Sequence, residues 1–252
     1  MWLMPTKPTV SRLSEFAADQ WGLVTRRQAE AAGVSRATMT RLIAEGAVLD
    51  RIARGVYHLV GSPLPDHVEL RAAWLQLAPE VPAWRRSPEQ GVISHRSAAA
   101  LYGLGHLPAD VHEFIVPSRQ RSRRPDVHLH IAQLEPSEWL NVGGLLVTRP
   151  ARIAADLLSQ REEPAAVAQV IADAIRPVYD YPGHFVEALA PYAVRFGFRR
   201  GDGLALLRWL LDLTGDPEAS TWLDEAHQSL YQREQTAEMR APAPSTRPGS
   251  PR

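Results

Sequence analysis

Ser35, Arg36, Thr38, Thr40 and Arg41 lie close together near the amino end of a 252-residue chain, and Arg51 and Arg54 follow shortly after. Short or cationic side chains on one side of a helix suit entry into a DNA major groove. Arginines at a hairpin tip can reach phosphates or a narrow minor groove. Arg119, Arg121, Arg123 and Arg124 form the densest basic run. They read either as a second phosphate-contact patch or as a solvated hairpin loop that discourages edge-to-edge strand pairing. His128 and His130 share one strand face, a spacing two metal ligands could use, but no third ligand stands at an obvious position and no metal is expected. In His95-Arg96-Ser97, Ser94 or His95 would cap a small helix and Arg96 could hold a carboxylate. Arg152 and Asp156 are spaced to pair along a helix, and Arg149 and Arg152, poorly placed for the macrodipole at its start, should answer to an acid elsewhere. No catalytic grouping and no cofactor site can be argued from these spacings.

The elements that must position the first group follow from local rules. Residues 28–43 predict a short helix, a turn Gly33-Val34-Ser35 and a second helix. Gly33 can take the left-handed conformation that ends the first helix. Ser35 can cap the second. Ala29 is small enough for a close helix crossing, and Val34, Met39 and Leu42 point into a core. Val10, Leu13, Phe16 and Ala17 recur at helical spacing and supply a third helix. The runs 47–52 and 56–59, joined by Ala53-Arg54-Gly55, predict a hairpin wing. A winged helix-turn-helix is expected over residues 1–62.

Gly61-Ser62-Pro63-Leu64-Pro65 reads as a linker, after which Asp66 is expected to cap a helix running to Pro79. Strands are expected at 92–94, 111–116, Val127–Ile131, 140–142 and Leu145–Thr148, with a small helix at 96–102. Helices are expected at Pro150–Ser159, Pro164–Ile175, 184–196, 202–213 and 217–235. The fold class is therefore α+β: the winged helix, then a mixed α/β and mainly helical domain over 66–235, with residues 236–252 disordered. Phe185, Leu189, Leu204, Leu207, Leu210 and Leu211 should be core.

The chain is 45% hydrophobic with no cysteine, so a disulfide scaffold and thiolate metal sites are excluded. No apolar run approaches the about 20 residues of a membrane span, and a cytoplasmic protein is expected. Formal net charge is zero but polarised. Residues 1–60 carry eight basic against five acidic groups, and residues 152–240 nine against fourteen. That asymmetry suits a mildly basic, salt-sensitive DNA-binding end and an acidic end that could steer toward a basic protein.

Arg54-Gly55-Val56-Tyr57, then the run 93–104 beginning Ile93-Ser94-His95-Arg96-Ser97, then the run 147–158 beginning Val147-Thr148-Arg149-Pro150-Ala151-Arg152, together resemble the AbiEi antitoxins of type IV toxin–antitoxin systems over about residues 10–215. The resemblance implies a bacterial, non-enzymatic repressor that binds inverted repeats in its own promoter and neutralises a nucleotidyltransferase toxin. It places DNA contacts on Arg36, Thr38, Thr40, Arg41, Arg51 and Arg54. The later runs also resemble proteins that continue into a very-short-patch-repair-like endonuclease, but nothing after Thr214 supplies that domain's paired acids on strands. A regulator with a ligand-sensing domain and no toxin, or a nucleic-acid- or partner-modifying enzyme targeted by its winged helix, are the alternatives.

Overall fold

The computed structural model describes residues 7–122 and 124–240. Helix α1 (Lys7–Ala18) buries Leu13 and Ala17. A sharp turn through Trp21 and Gly22, both at positive φ, leads to the short strand β1 (Leu23–Thr25), which the sequence did not reveal. Thr25 then opens helix α2 (Arg26–Ala31) with a capping box: its hydroxyl accepts from the Gln28 N–H while the Gln28 side chain accepts from the Thr25 N–H. Gly33 stands at φ +80°, where a side chain would be strained. Ser35 caps helix α3 (Arg36–Glu45), accepting from the Thr38 N–H at 3.1 Å. Arg12 closes the other end of the pair by donating to the Ala32 carbonyl.

Strands β2 (Leu49–Ala53) and β3 (Val56–Leu59) form the expected hairpin, and β1 adds to β3, giving an antiparallel order β1-β3-β2. The register shifts between Arg51 and Ala53, a bulge that re-aims the strand just before its tip. Leu13, Val24, Ala29, Val34, Met39, Leu42, Leu49 and Tyr57 make one buried cluster.

Helix α4 (Val68–Leu77) follows, and here the expected cap fails. The residue before the helix is His67, at φ +52° and without a side-chain cap bond, while Asp66 offers only its carbonyl, to Arg71. A five-stranded mixed sheet comes next, of β4 (Val92–Ile93), β5 (His112–Val116), β6 (Val127–Ile131), β7 (Trp139–Val142) and β8 (Leu145–Thr148), in the order β6-β5-β4-β8-β7. Because β5 and β6 are parallel, the arginine-rich segment between them is a crossover rather than the expected hairpin loop. Helix α5 (His95–Tyr102) stands between β4 and β5. Helices α6 (Pro150–Ser159), α7 (Pro164–Ile175), α8 (Pro182–Leu189), α9 (Gly203–Thr214) and α10 (Ala219–Arg240) complete the chain.

The expected helix over 184–196 changes at Leu189 into a tighter 3₁₀ run, Ala190–Phe196, where Pro191 lacks the N–H an α-helix needs. Phe185, Leu189, Leu207, Leu210 and Leu211 are fully buried, Leu204 partly, as expected. Helix α10 extends past the expected end of order at Gln235, and residues 241–252 lie outside the described part.

The amino-terminal unit is built into the rest. Leu23 and Val56 belong to the larger core with Leu70, Trp74 and Phe114. Trp21 packs on Trp74, donates to the Gly143 carbonyl at 2.8 Å and lies so close to Gly144 that a Cβ there would meet its ring at 2.9 Å. Buried Gln20 and Gln28 exchange amide hydrogen bonds at 2.8 and 3.1 Å. Gln20 also accepts from the Ala83 N–H, and Gln28 donates to the Val81 carbonyl.

Arg86 holds the segment after α4. It lies over the Trp74 ring and donates to the carbonyls of Trp74 and Leu75, at the end of α4 where the helix supplies no further donor, and to those of Ala78 and Val81 beyond it. Burial pushes its guanidinium down to about 9. Replacing Arg86 with Met leaves the Trp74 and Leu75 carbonyls without this donor, and urea unfolding should show a loss of about 3 kcal/mol. An unchanged midpoint would contradict this role.

Candidate nucleic-acid interface

Helix α3 divides cleanly. Met39 and Leu42 are buried, Ser35, Arg36, Thr40 and Arg41 are exposed, and Thr38 is intermediate. Most of the polar groups already have local partners. Ser35 and Thr38 share a hydroxyl contact at 2.9 Å, and Thr40 donates back to the Arg36 carbonyl. Arg36 reaches Glu30 of α2 at 2.9 Å, a carboxylate also met by Arg26. The Arg36 bond holds the Glu30 carboxyl below its usual range. Arg36 is nevertheless 71% exposed, and an ion pair so open to water is worth little, so the guanidinium can exchange Glu30 for another anion. Arg41 lies 3.8 Å from Glu45, a loose contact.

The hairpin places Arg51 and Arg54 in solvent, Arg54 in the turn itself. Its position is fixed from behind: Gln76 of α4 donates to the Arg54 carbonyl at 2.7 Å. The same Gln76 amide accepts from Arg124 at 2.8 Å, so one side chain joins the hairpin tip to the arginine-rich crossover. Of that crossover, Arg119 and Arg121 are exposed. Arg124 is instead committed to Asp126 and Gln76, and is held in its charged form chiefly by the Asp126 bond. Arg123 lies outside the described residues. Sequence reading missed Gln76, whose role depends on tertiary proximity, and the exposed Arg26 and Arg27 at the start of α2.

The remaining singled-out residues fall elsewhere. Neither Ser94 nor His95 caps α5; Glu113 of β5 does, its Oε2 accepting from the Arg96 N–H at 3.0 Å. Arg96 pairs with Glu162 as expected of it, at 2.8 Å. His128 and His130 stack on one another, and the third and fourth members that the sequence did not suggest are there: His95 stacks on His130, and Glu113 lies 3.0 Å from it.

Arg152 bonds Asp156 and Glu138, each at 2.7 Å, in the wall of a cleft of about 580 Å³ also lined by Arg149, Asp180, His184 and Tyr192. Asp180, absent from the sequence reading, caps α6 from the loop before α8 by accepting from the Ala151 N–H. The buried Arg149 Nε has no hydrogen-bond partner among the described residues.

Residues 11–60 match a family model described as a transcriptional regulator, the AbiEi antitoxin. The match covers the helix pair and the hairpin, about one fifth of the chain. No curated protein matches the chain. The AbiEi-like region thus holds every expected contact residue from Ser35 to Arg54, while the crossover arginines lie beyond it. No helix among the described residues is long and apolar enough to cross a membrane.

Asp156 supplies a pH test of the cleft wall. Burial, outweighing Arg152, pushes its carboxyl up to about 6, and its Oδ2 has no partner among the described residues. A carboxyl raised in the folded state stabilises most below its unfolded value of 3.8, and that contribution is lost as pH rises through about 6. Melting curves between about pH 4 and about pH 7 should show a decline of about 2–3 kcal/mol that Asp156→Asn removes. An equal slope in both proteins would refute the assignment.

Proposed function

We propose that the amino-terminal unit is a winged helix-turn-helix that binds duplex DNA at the protein's own promoter, and that the chain is a cytoplasmic autorepressor and antitoxin opposing a nucleotidyltransferase toxin. The observation that carries the reading is the division of α3. One side is spent on the core, and the other presents Arg36, Thr40 and Arg41 to solvent, with Thr38 half-buried, beside a hairpin bearing two more arginines. In this arrangement α3 enters the major groove, with Arg36, Thr38, Thr40 and Arg41 at base edges or the flanking phosphates. Ser35 orients the helix by capping it. Arg51 and Arg54 contact the adjoining backbone or minor groove.

The crossover joins the same surface in this reading. Arg119 and Arg121 add phosphate contacts next to the wing, and Arg124 serves as the strut that holds the crossover there through Gln76. The AbiEi match over residues 11–60 supports the regulator and antitoxin roles. The acidic carboxy-terminal part, nine basic against fourteen acidic groups over residues 152–240, suits capture of a basic partner protein.

Gel-shift titration on the DNA upstream of the protein's own reading frame tests this. Arg36→Ala with Arg41→Ala should cost about 1–3 kcal/mol per base contact and relax sequence preference. Arg51→Ala with Arg54→Ala, and separately Arg119→Ala with Arg121→Ala, should weaken binding to all sequences and lower the salt slope by about 1 for each phosphate no longer neutralised. Binding unaffected by the α3 pair would overturn the reading.

A further inference from the structure

We propose that His95, Glu113 and His130 bind one divalent transition-metal ion, of the Zn²⁺ class, with a coordination position left open to the neighbouring cleft. One ligand atom from each of the three lies within 4.8 Å of the others. They come from three different elements: His95 begins α5, Glu113 is in β5, and His130 is in β6. His95 and Glu113 are buried, and His130 nearly so. Two imidazoles and a carboxylate suit Zn²⁺ and its first-row neighbours rather than Mg²⁺ or Ca²⁺, which take oxygen ligands.

The surroundings tie down the atoms a metal would not use. His95 Nδ1 contacts the Ser94 hydroxyl at 2.9 Å, leaving Nε2 as the remaining nitrogen. Glu113 Oε2 is held by the Arg96 N–H, and Oε1 faces His130 Nε2 at 3.0 Å. The Gln160 amide nitrogen lies 3.3 Å from His130 Nδ1 and 3.4 Å from Nε2. Ser94 and the Arg96 N–H hold the other polar atoms of His95 and Glu113, as an outer shell does, while the His95 and His130 rings stack 3.8 Å apart, so that binding turns one ring to bring both lone pairs onto the ion. His95 also holds φ +52°, a conformation costly for a residue with a Cβ. Of the three, Glu113 lines a cleft of about 310 Å³ shared with Arg96, Asp110, His128 and Gln160, the side from which water or a small anion would reach the ion as a fourth ligand. The proposal is independent of DNA binding.

The test uses the full chain, freed of metal with a chelator and titrated with ZnCl₂ by calorimetry. Elemental analysis after gel filtration should find one Zn²⁺ per chain. His130→Ala should lower affinity by about 100-fold or more, and Ser94→Ala, which frees the His95 ring, by about 10-fold. The Co²⁺-loaded protein should show visible d–d bands that His130→Ala abolishes. Glu113→Gln also weakens the charge-assisted cap of α5, so His130→Ala, checked for folding by circular dichroism, decides the matter. Absence of saturable Zn²⁺ binding by the wild-type chain, or undiminished binding by folded His130→Ala, would overturn the proposal.

Discussion

The Gln20–Gln28 amide pair is the contact on which the placement of the amino-terminal unit depends. Each amide is buried and reaches the segment between α4 and β4, Gln20 by accepting from the Ala83 N–H and Gln28 by donating to the Val81 carbonyl, while Gln20 also donates to the Leu23 carbonyl and Gln28 accepts from the Thr25 N–H. A buried amide left half-satisfied is costly, so the network favours one arrangement of the two units over others. Gln28 is also the third residue of the Thr25 capping box. The start of α2, and hence the helix pair it leads, is therefore held by the same side chain that joins the units. The Trp21 indole against Gly144, and Leu23 and Val56 in the shared core, reinforce that arrangement from the other side of β1.

This coupling bears on how the proposed interface would work. A winged helix on a free tether would present only its own arginines. Here Gln76 ties the hairpin tip to Arg124 at the end of the crossover, and the proposed interface would add the exposed Arg119 and Arg121 of that crossover to the hairpin arginines. Commitment of Arg124 to Asp126 and Gln76 withdraws one cation from the surface and uses it to position the rest. A parallel β5–β6 pair is what makes the crossover long enough to reach there. The same two strands carry Glu113 and His130, so the polar cluster and the arginine segment share one scaffold.

Much of the local structure was legible from residue order. Gly33 and Ser35 marked the turn and cap of the helix pair, and Pro150 and Pro164 opened helices where their missing N–H costs nothing. What failed was capping by tertiary neighbours. Asp66, the residue with the right chemistry for a cap, gave way to His67 in a left-handed conformation. The ends of α5 and α6 are closed by Glu113 and Asp180 from distant segments. β1 escaped notice because three buried residues carry no alternation to read.

The sequence by itself determined which side of α3 is apolar, where the helices and most strands run, and that cationic groups concentrate near the hairpin and in the crossover. Those properties depend on periodicity and on the short-range preferences of glycine, proline and serine. Only the tertiary structure decided which arginines are free and which are struts, and that Gln76 links two basic segments. It alone gathered His95, Glu113 and His130 around one point. Hydrogen bonds and ion pairs between residues far apart in the chain depend on the packing of sheet and helices, and no spacing rule encodes them.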